Sequence, residues 1–425
     1  MLAMSLRKRW EGKVIAIFKE ISAADVKTAR SFLNQLIDVL QQDISGSTTR
    51  RKYQQFVTGG VGPGVTSSLF QTIYDQDFTL QTANAVFDMT VGLFESGSVV
   101  GTSRTSTDSA DKMLFPSSSM MMREKVDIYR QFAQLLLGDS TAQFVAPFDS
   151  TTSTDKIDPA LFICFKRLFM RDKIKRETFA MRFFKSASVP AASGRTNLFL
   201  PLSGTSEIAA ATQVFTDIGS SNNKNFAFGG EVGSIVDASN TSNEVGLMFY
   251  DRGIAVLDIN KVIDPTQFVS GVISALNTNA ATGWVAGQTV IGGARAENTS
   301  AKFVPDLMVS ASIDDVVDHF ATVRFSTGSS TAITFQNITT INSTLVFCRA
   351  SADEFNYSAN PTFRDAESRI VVIDSGQEDT QQSFTFVTSV GLYDANDNLL
   401  AVGKVSRPIE KSPERDLTLR VRIDF

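Results

Sequence analysis

Only one side chain of this sequence titrates near neutrality by default, His319. A metal site built from several histidines is therefore impossible, and a Ser–His or Cys–His catalytic pair could use only this residue. It sits in Ile313-Asp-Asp-Val-Val-Asp-His-Phe320, a short amphipathic segment, and reads as a surface or half-buried side chain that does no chemistry. The two cysteines, Cys164 and Cys348, each lie in an apolar run and read as buried free thiols. Two unpaired thiols fit synthesis in a reducing cytoplasm. Paired carboxylates could carry glycoside hydrolysis without any histidine, but no Asp or Glu pair stands out from the 45 acidic residues. No catalytic, cofactor-binding or metal-ligating residue is assigned.

Three further motifs invite a functional reading and have a plainer one. Thr58-Gly-Gly-Val-Gly-Pro-Gly-Val65 could cradle a phosphate, yet no Gly-Lys-Ser/Thr follows it, so it reads as a connector. Asp394-Ala-Asn-Asp-Asn398 begins like a calcium loop but lacks that loop's glycine and closing Glu, so it reads as a hairpin turn. Residues 160–185 read as a helix carrying Lys166, Arg167, Arg171, Lys173, Lys175, Arg176, Arg182 and Lys185 among many apolar residues. Such a helix could meet nucleic acid or a membrane surface. Because the chain as a whole carries a net charge of -5, the preferred reading is a buried helix whose long basic stems reach acidic neighbours. It is the only candidate for nucleic-acid contact.

The elements that hold these residues are read from periodicity. At 43% apolar and 20% charged, the 425 residues are globular material, long enough for two or three domains. In the first sixty residues Val26, Ala29, Phe32, Leu33, Leu36, Ile37 and Leu40 recur at helical spacing behind a capping-box-like Ser22-Ala-Ala-Asp25. A second helix is expected over 120–137, with Val126, Tyr129, Phe132, Ala133 and Leu136 on one face and Gly138 as its stop.

From about residue 195 the pattern turns to alternation. Strands are expected over 196–202, 225–236, 243–257, 307–312, 321–325, 332–335, 344–349, 369–373, 384–392, 399–405 and 417–425. The expected fold class is α+β: an N-terminal helical region followed by a predominantly antiparallel, sandwich-like β domain. The expected domains are a helical arm at 1–58, a mixed, mainly helical domain at 59–195, and a β-rich domain at 196–425. Residues 265–294 carry no charge and read as a loop packed against another subunit. No apolar run approaches the roughly 18 residues of a membrane helix, and the charged N-terminus does not read as a signal peptide. Phe outnumbers Tyr by 33 to 6, which implies extensive dry packing in cores or subunit contacts.

The C-terminal third is similar to a known group. Phe355-Asn-Tyr-Ser-Ala-Asn-Pro-Thr-Phe363, the run Phe386-Val-Thr-Ser-Val-Gly-Leu-Tyr-Asp-Ala-Asn-Asp-Asn-Leu-Leu-Ala-Val-Gly-Lys-Val-Ser-Arg-Pro408 and the ending Arg-Val-Arg-Ile-Asp-Phe425 resemble structural proteins of tailed bacteriophages. Asn243-Glu-Val-Gly-Leu-Met-Phe-Tyr-Asp-Arg-Gly-Ile-Ala-Val-Leu257 resembles a recurring piece of the same group. The resemblance covers the chain from about residue 240 and is looser over 60–190. It implies a non-enzymatic virion subunit, assembled in the host cytoplasm, whose partners are other virion proteins and copies of itself. A contractile-tail baseplate is the expected place, with a neck, collar or portal-proximal connector as the alternative. A receptor-binding tip or a virion-borne hydrolase is a weaker reading, since no internal repeat and no carboxylate pair is visible.

Overall fold

The structure is a computed structural model that describes residues 19–54, 68–100, 120–185, 212–263, 303–325 and 330–425, apart from 359, 368 and 378. The chain divides into two units, one formed by Asn34–Thr339 and the other by Met1–Leu33 with Thr340–Phe425. It is mostly β.

The strands in chain order are β1 (Val26–Leu40), β2 (Arg50–Gln54), β3 (Ser68–Tyr74), β4 (Ala85–Leu93), β5 (Pro159–Phe165), β6 (Lys173–Ile174), β7 (Ala180–Phe184), β8 (Thr212–Thr216), β9 (Asn225–Ala227), β10 (Gly230–Asp237), β11 (Asn240–Phe249), β12 (Ile254–Asp258), β13 (Thr331–Ala350), β14 (Thr385–Tyr393), β15 (Leu399–Lys411) and β16 (Leu417–Asp424).

In the larger unit the sheet runs β7-β8-β10-β11-β12-β5-β4-β3-β2, curled and antiparallel like half of a barrel. Its middle strands β12 and β5 are buried almost throughout. Their continuous apolar runs, Ile254-Ala-Val-Leu257 and Leu161-Phe-Ile-Cys-Phe165, leave neither face for water. The helix Met120–Leu136 lies on β4, brought close by Gly92, where a Cβ would meet Tyr129 and Phe162 at 3.0 Å. Phe132 stacks on Phe162 at 4.0 Å between centroids, and Tyr129 packs edge-on against Phe144 and Phe162. A second aromatic group joins Phe183 to Phe215, Phe320 and Phe325. Much of the phenylalanine excess is therefore spent on this core.

The expected helix over 120–137 is present, and it ends where Gly138 takes φ +83°. The expected N-terminal helical region is not. Ser22 caps a single turn, Ala23–Asp25, and Val26–Leu40 is strand β1. The apolar residues that mimic a helical stripe do not share a buried face: Phe32, Leu33 and Leu36 are all exposed, and pairing with β13 decides the conformation.

The expected helix over 160–185 is also overturned. It is β5, a turn of helix at Arg167–Met170, then β6 and β7. Two expected strands are helical instead: Phe303–Leu307 with Met308–Ser310, and Phe320–Arg324. Residues 369–373 hold one bridge, Arg364 with Ile370, and no strand. The expected readings at 58–65, 196–202 and 265–294 lie outside the described residues.

In the smaller unit, β16 pairs the second half of β13 from Ser343↔Asp424 to Ala350↔Leu417. The β14–β15 hairpin forms a separate two-stranded sheet, with register shifts at Val387/Ser389 and Leu392/Tyr393. Its turn is the expected one. Asp394 Oδ1 accepts from the amides of Asn396 and Asn398, each at 2.8 Å, and Asp397 takes φ +64°.

Candidate functional site: a cavity beneath the C-terminal hairpin

Within the smaller unit, a cavity of about 500 Å³ lies between β14 on one side and β13 and β16 on the other. Its apolar lining includes Phe347, Cys348, Phe355, Val390, Leu417 and Leu419. Strict alternation places these residues. In Leu417-Thr-Leu-Arg-Val-Arg-Ile-Asp the apolar residues turn one way and the polar ones the other, and the burial of β16 alternates in step. The inward row stays only half-buried, because the layers do not close on each other. Of this unit's apolar side chains, only Val346, Leu392 and Phe363 are fully buried among the described residues. A packed interior tolerates few voids larger than a water, so this hollow is not part of a closed core.

The polar part of the lining is partly self-compensated. Lys19 Nζ meets Glu354 Oε2 at 2.5 Å, and Glu354 also accepts from the amide of Ser351. Those contacts hold the Glu354 carboxyl below the usual carboxylate range despite some desolvation. Asp25 stands 3.9 Å from the guanidinium of Arg349. Burial, and then the nearby Asp25, raise the Cys348 thiol, which keeps it protonated and a poor nucleophile. The arrangement can bind an apolar group. It offers no activated group to react with one.

The other residues singled out by sequence are not brought together here. His319 lies in the larger unit and is fully buried rather than half-buried. Its Nε2 accepts from Arg324 Nε at 3.1 Å, and the ring packs 5.0 Å from Phe303. A neutral imidazole that accepts at Nε2 carries its proton on Nδ1, so this side chain serves the core. Cys164, on β5, has its thiol pushed up to about 12 by burial.

The basic side chains of 160–185 sit on strands and turns, yet several do reach acidic partners. Lys166 pairs with Asp88, while Lys173 and Arg176 share Glu231, each at 3.2 Å. Lys175 donates to Gln336. No group of three or more metal-ligating side chains occurs among the described residues, and none of the described helices is long and apolar enough to cross a membrane.

A smaller polar hollow in the larger unit is lined by Asp155, Glu244 and Lys261. Burial raises the Glu244 carboxyl, with Asp155 adding to the shift. Lys261 donates to the Glu244 backbone carbonyl at 2.9 Å and stands 4.0 Å from Asp155. Sequence reasoning found neither hollow. For the first, the alternation of β16 was the available signal, but alternation shows which way a row faces and not whether anything covers it.

No family model, no curated protein and no solved structure matches this chain.

Proposed function

We propose that this chain is a non-enzymatic structural subunit of a tailed-bacteriophage virion, held in a contractile-tail baseplate by subunit–subunit packing. The resemblance of 355–425 to phage structural proteins motivates the reading. The observation that carries it is the cavity, filled by none of the described residues, beneath the hairpin that contains the most distinctive of those motifs. A unit with so few buried apolar side chains gains stability from a neighbour, as obligate subunits do. Exposed apolar side chains on strands add to this: Phe32, Leu33 and Leu36 on β1, and Phe386, Leu399, Leu400 and Val402 on the hairpin. Monomers that work alone rarely leave such strands open.

The alternative placement is the neck or a portal-proximal connector, where the same packing would serve. Mass spectrometry of purified particles followed by cryo-electron microscopy tests the reading. Density for the chain in the baseplate is expected. Density only at the head vertex transfers it to the neck, and absence from purified particles removes the virion reading altogether.

A further inference from the structure

One strand of the larger unit carries the counterpart that the cavity lacks. β9 is an edge strand that pairs only β10 among the described residues. Phe226, on it, and Phe228, just beyond it, are 69% and 68% exposed. Phe226 is in the middle of β9, and Phe228 is in the turn that leads into β10, so the two stand close together at one end of the β9–β10 hairpin. A phenylalanine has no polar handle to justify that exposure. Two at one end of a short hairpin form a knob, just as the cavity forms a socket.

Charge agrees with the match. Lys224, two residues before Phe226, is exposed, and Glu20 at the cavity is exposed as well. Neither has an ion-pair partner among the described residues. β14 supplies much of the cavity wall and pairs only β15 among the described residues, so its other edge is open to a further strand.

We propose that a second copy of this chain seats its Phe226-Ala-Phe228 segment in the cavity beneath the hairpin. Phe226 and Phe228 fill the space between Val390 and Leu419, and Lys224 meets Glu20. The contact is heterologous: each copy gives a knob and receives one. Two copies can exchange knobs reciprocally, and longer repetition yields a larger ring or an open filament. This goes beyond the virion reading and does not depend on it, because the purified chain alone displays the association.

The test uses the full-length chain in sedimentation velocity across a concentration series, with negative-stain microscopy of the products. Concentration-dependent self-association is expected. The double variant Phe226→Asp/Phe228→Asp should weaken it by on the order of a hundredfold or more, as loss of a paired aromatic anchor does. Both positions are exposed, so this variant should keep the native circular dichroism. The socket variant Val390→Asp should do the same. Mixing the knob and socket variants should give a one-to-one dimer that grows no further, because one good knob and one good socket remain. Glu20→Lys and Lys224→Glu should each weaken assembly, and the double exchange should restore it. A chain that stays monomeric throughout the series overturns the proposal. So does assembly unchanged by the knob substitutions, or a mixture of knob and socket variants that forms no dimer.

Discussion

The guanidinium of Arg176 lies over the ring of Tyr250, 4.5 Å from its centroid. The same guanidinium donates to Glu231 and to the backbone carbonyls of Ser220 and Val232, and the Tyr250 hydroxyl donates to the buried Asp217 at 2.8 Å. One planar, multiply donating cation thus ties several backbone stretches to one ring. Arg176→Lys keeps the charge and loses the fork and most of the stacking. It should cost about 1–3 kcal/mol in urea unfolding, and Arg176→Ala more. A Lys variant as stable as the parent would show that the charge alone suffices.

Lys125 is fully buried on the Met120–Leu136 helix and donates to the carbonyls of Met308 and Ala311, each at 2.5 Å. Burial lowers its pKa from 10.5 to about 7. Between these values the unfolded chain holds a proton that the folded one has released, so this group makes stability rise with pH from about 7 to 10.5. Below pH 7 its contribution is flat. Lys125→Met should lose that slope, and it should also cost a few kcal/mol because two carbonyls lose their donor. Thermal unfolding at pH 6, 8 and 9.5 checks both effects. Parallel pH profiles for parent and variant would refute the assignment.

Asp258 ends β12 and caps the short helix Ile259–Val262 by accepting from the Asn260 amide at 2.9 Å. Desolvation lifts its pKa from 3.8 to about 7, and nearby Asp158 adds to the rise. Here the folded chain keeps the proton that the unfolded one loses. The contribution is complete below about pH 4 and is lost as pH rises to 7. Asp258→Asn preserves the cap and removes the titration. It should raise the melting temperature by several degrees at pH 8 and little at pH 4. A gain of equal size at both pH values would mean that ionisation is not the cause.

His319 is enclosed by Phe303, Phe320 and Arg324. His319→Ala should open a void and remove the acceptor that faces Arg324, lowering stability by about 2–4 kcal/mol. The far-ultraviolet dichroism of the folded variant should not change. A neutral effect in chemical denaturation would contradict the packing role.

Legibility in the sequence depended on how local each decision was. The helix Met120–Leu136 was legible because its periodic face is also its buried face, and Gly138 supplies a local stop. The Asp394–Asn398 turn was legible because its hydrogen bonds close within five residues. β1 misled because Val26, Phe32, Leu33, Leu36 and Ile37 fit a helical spacing, while the strand that pairs with it lies some three hundred residues away. Residues 160–185 misled for a different reason. Pro159-Ala-Leu-Phe-Ile-Cys-Phe165 is a short unbroken apolar run, and periodicity cannot separate a two-sided buried strand from a buried helix. For the cavity the alternation of β16 gave only the direction of a row, and the exposure of Phe226 and Phe228 had no local signal, because both depend on what lies beside a residue.

At both register shifts of the hairpin the extra residues are on β15: residues 405–408 lie opposite Thr388, and Leu400 is passed over between Ala401 and Leu399. On β14 itself Val387, Ser389, Gly391 and Tyr393 keep the every-second-residue spacing of one face and border the hollow, with Val390 beside them. β14 therefore holds one phase past both shifts, while β15 takes up the irregularity. Removing one residue between Val387 and Tyr393 would leave the hairpin's composition intact while turning its downstream side chains to the opposite surface. The phase of this strand, more than the identity of any one residue on it, is what a neighbouring molecule would read.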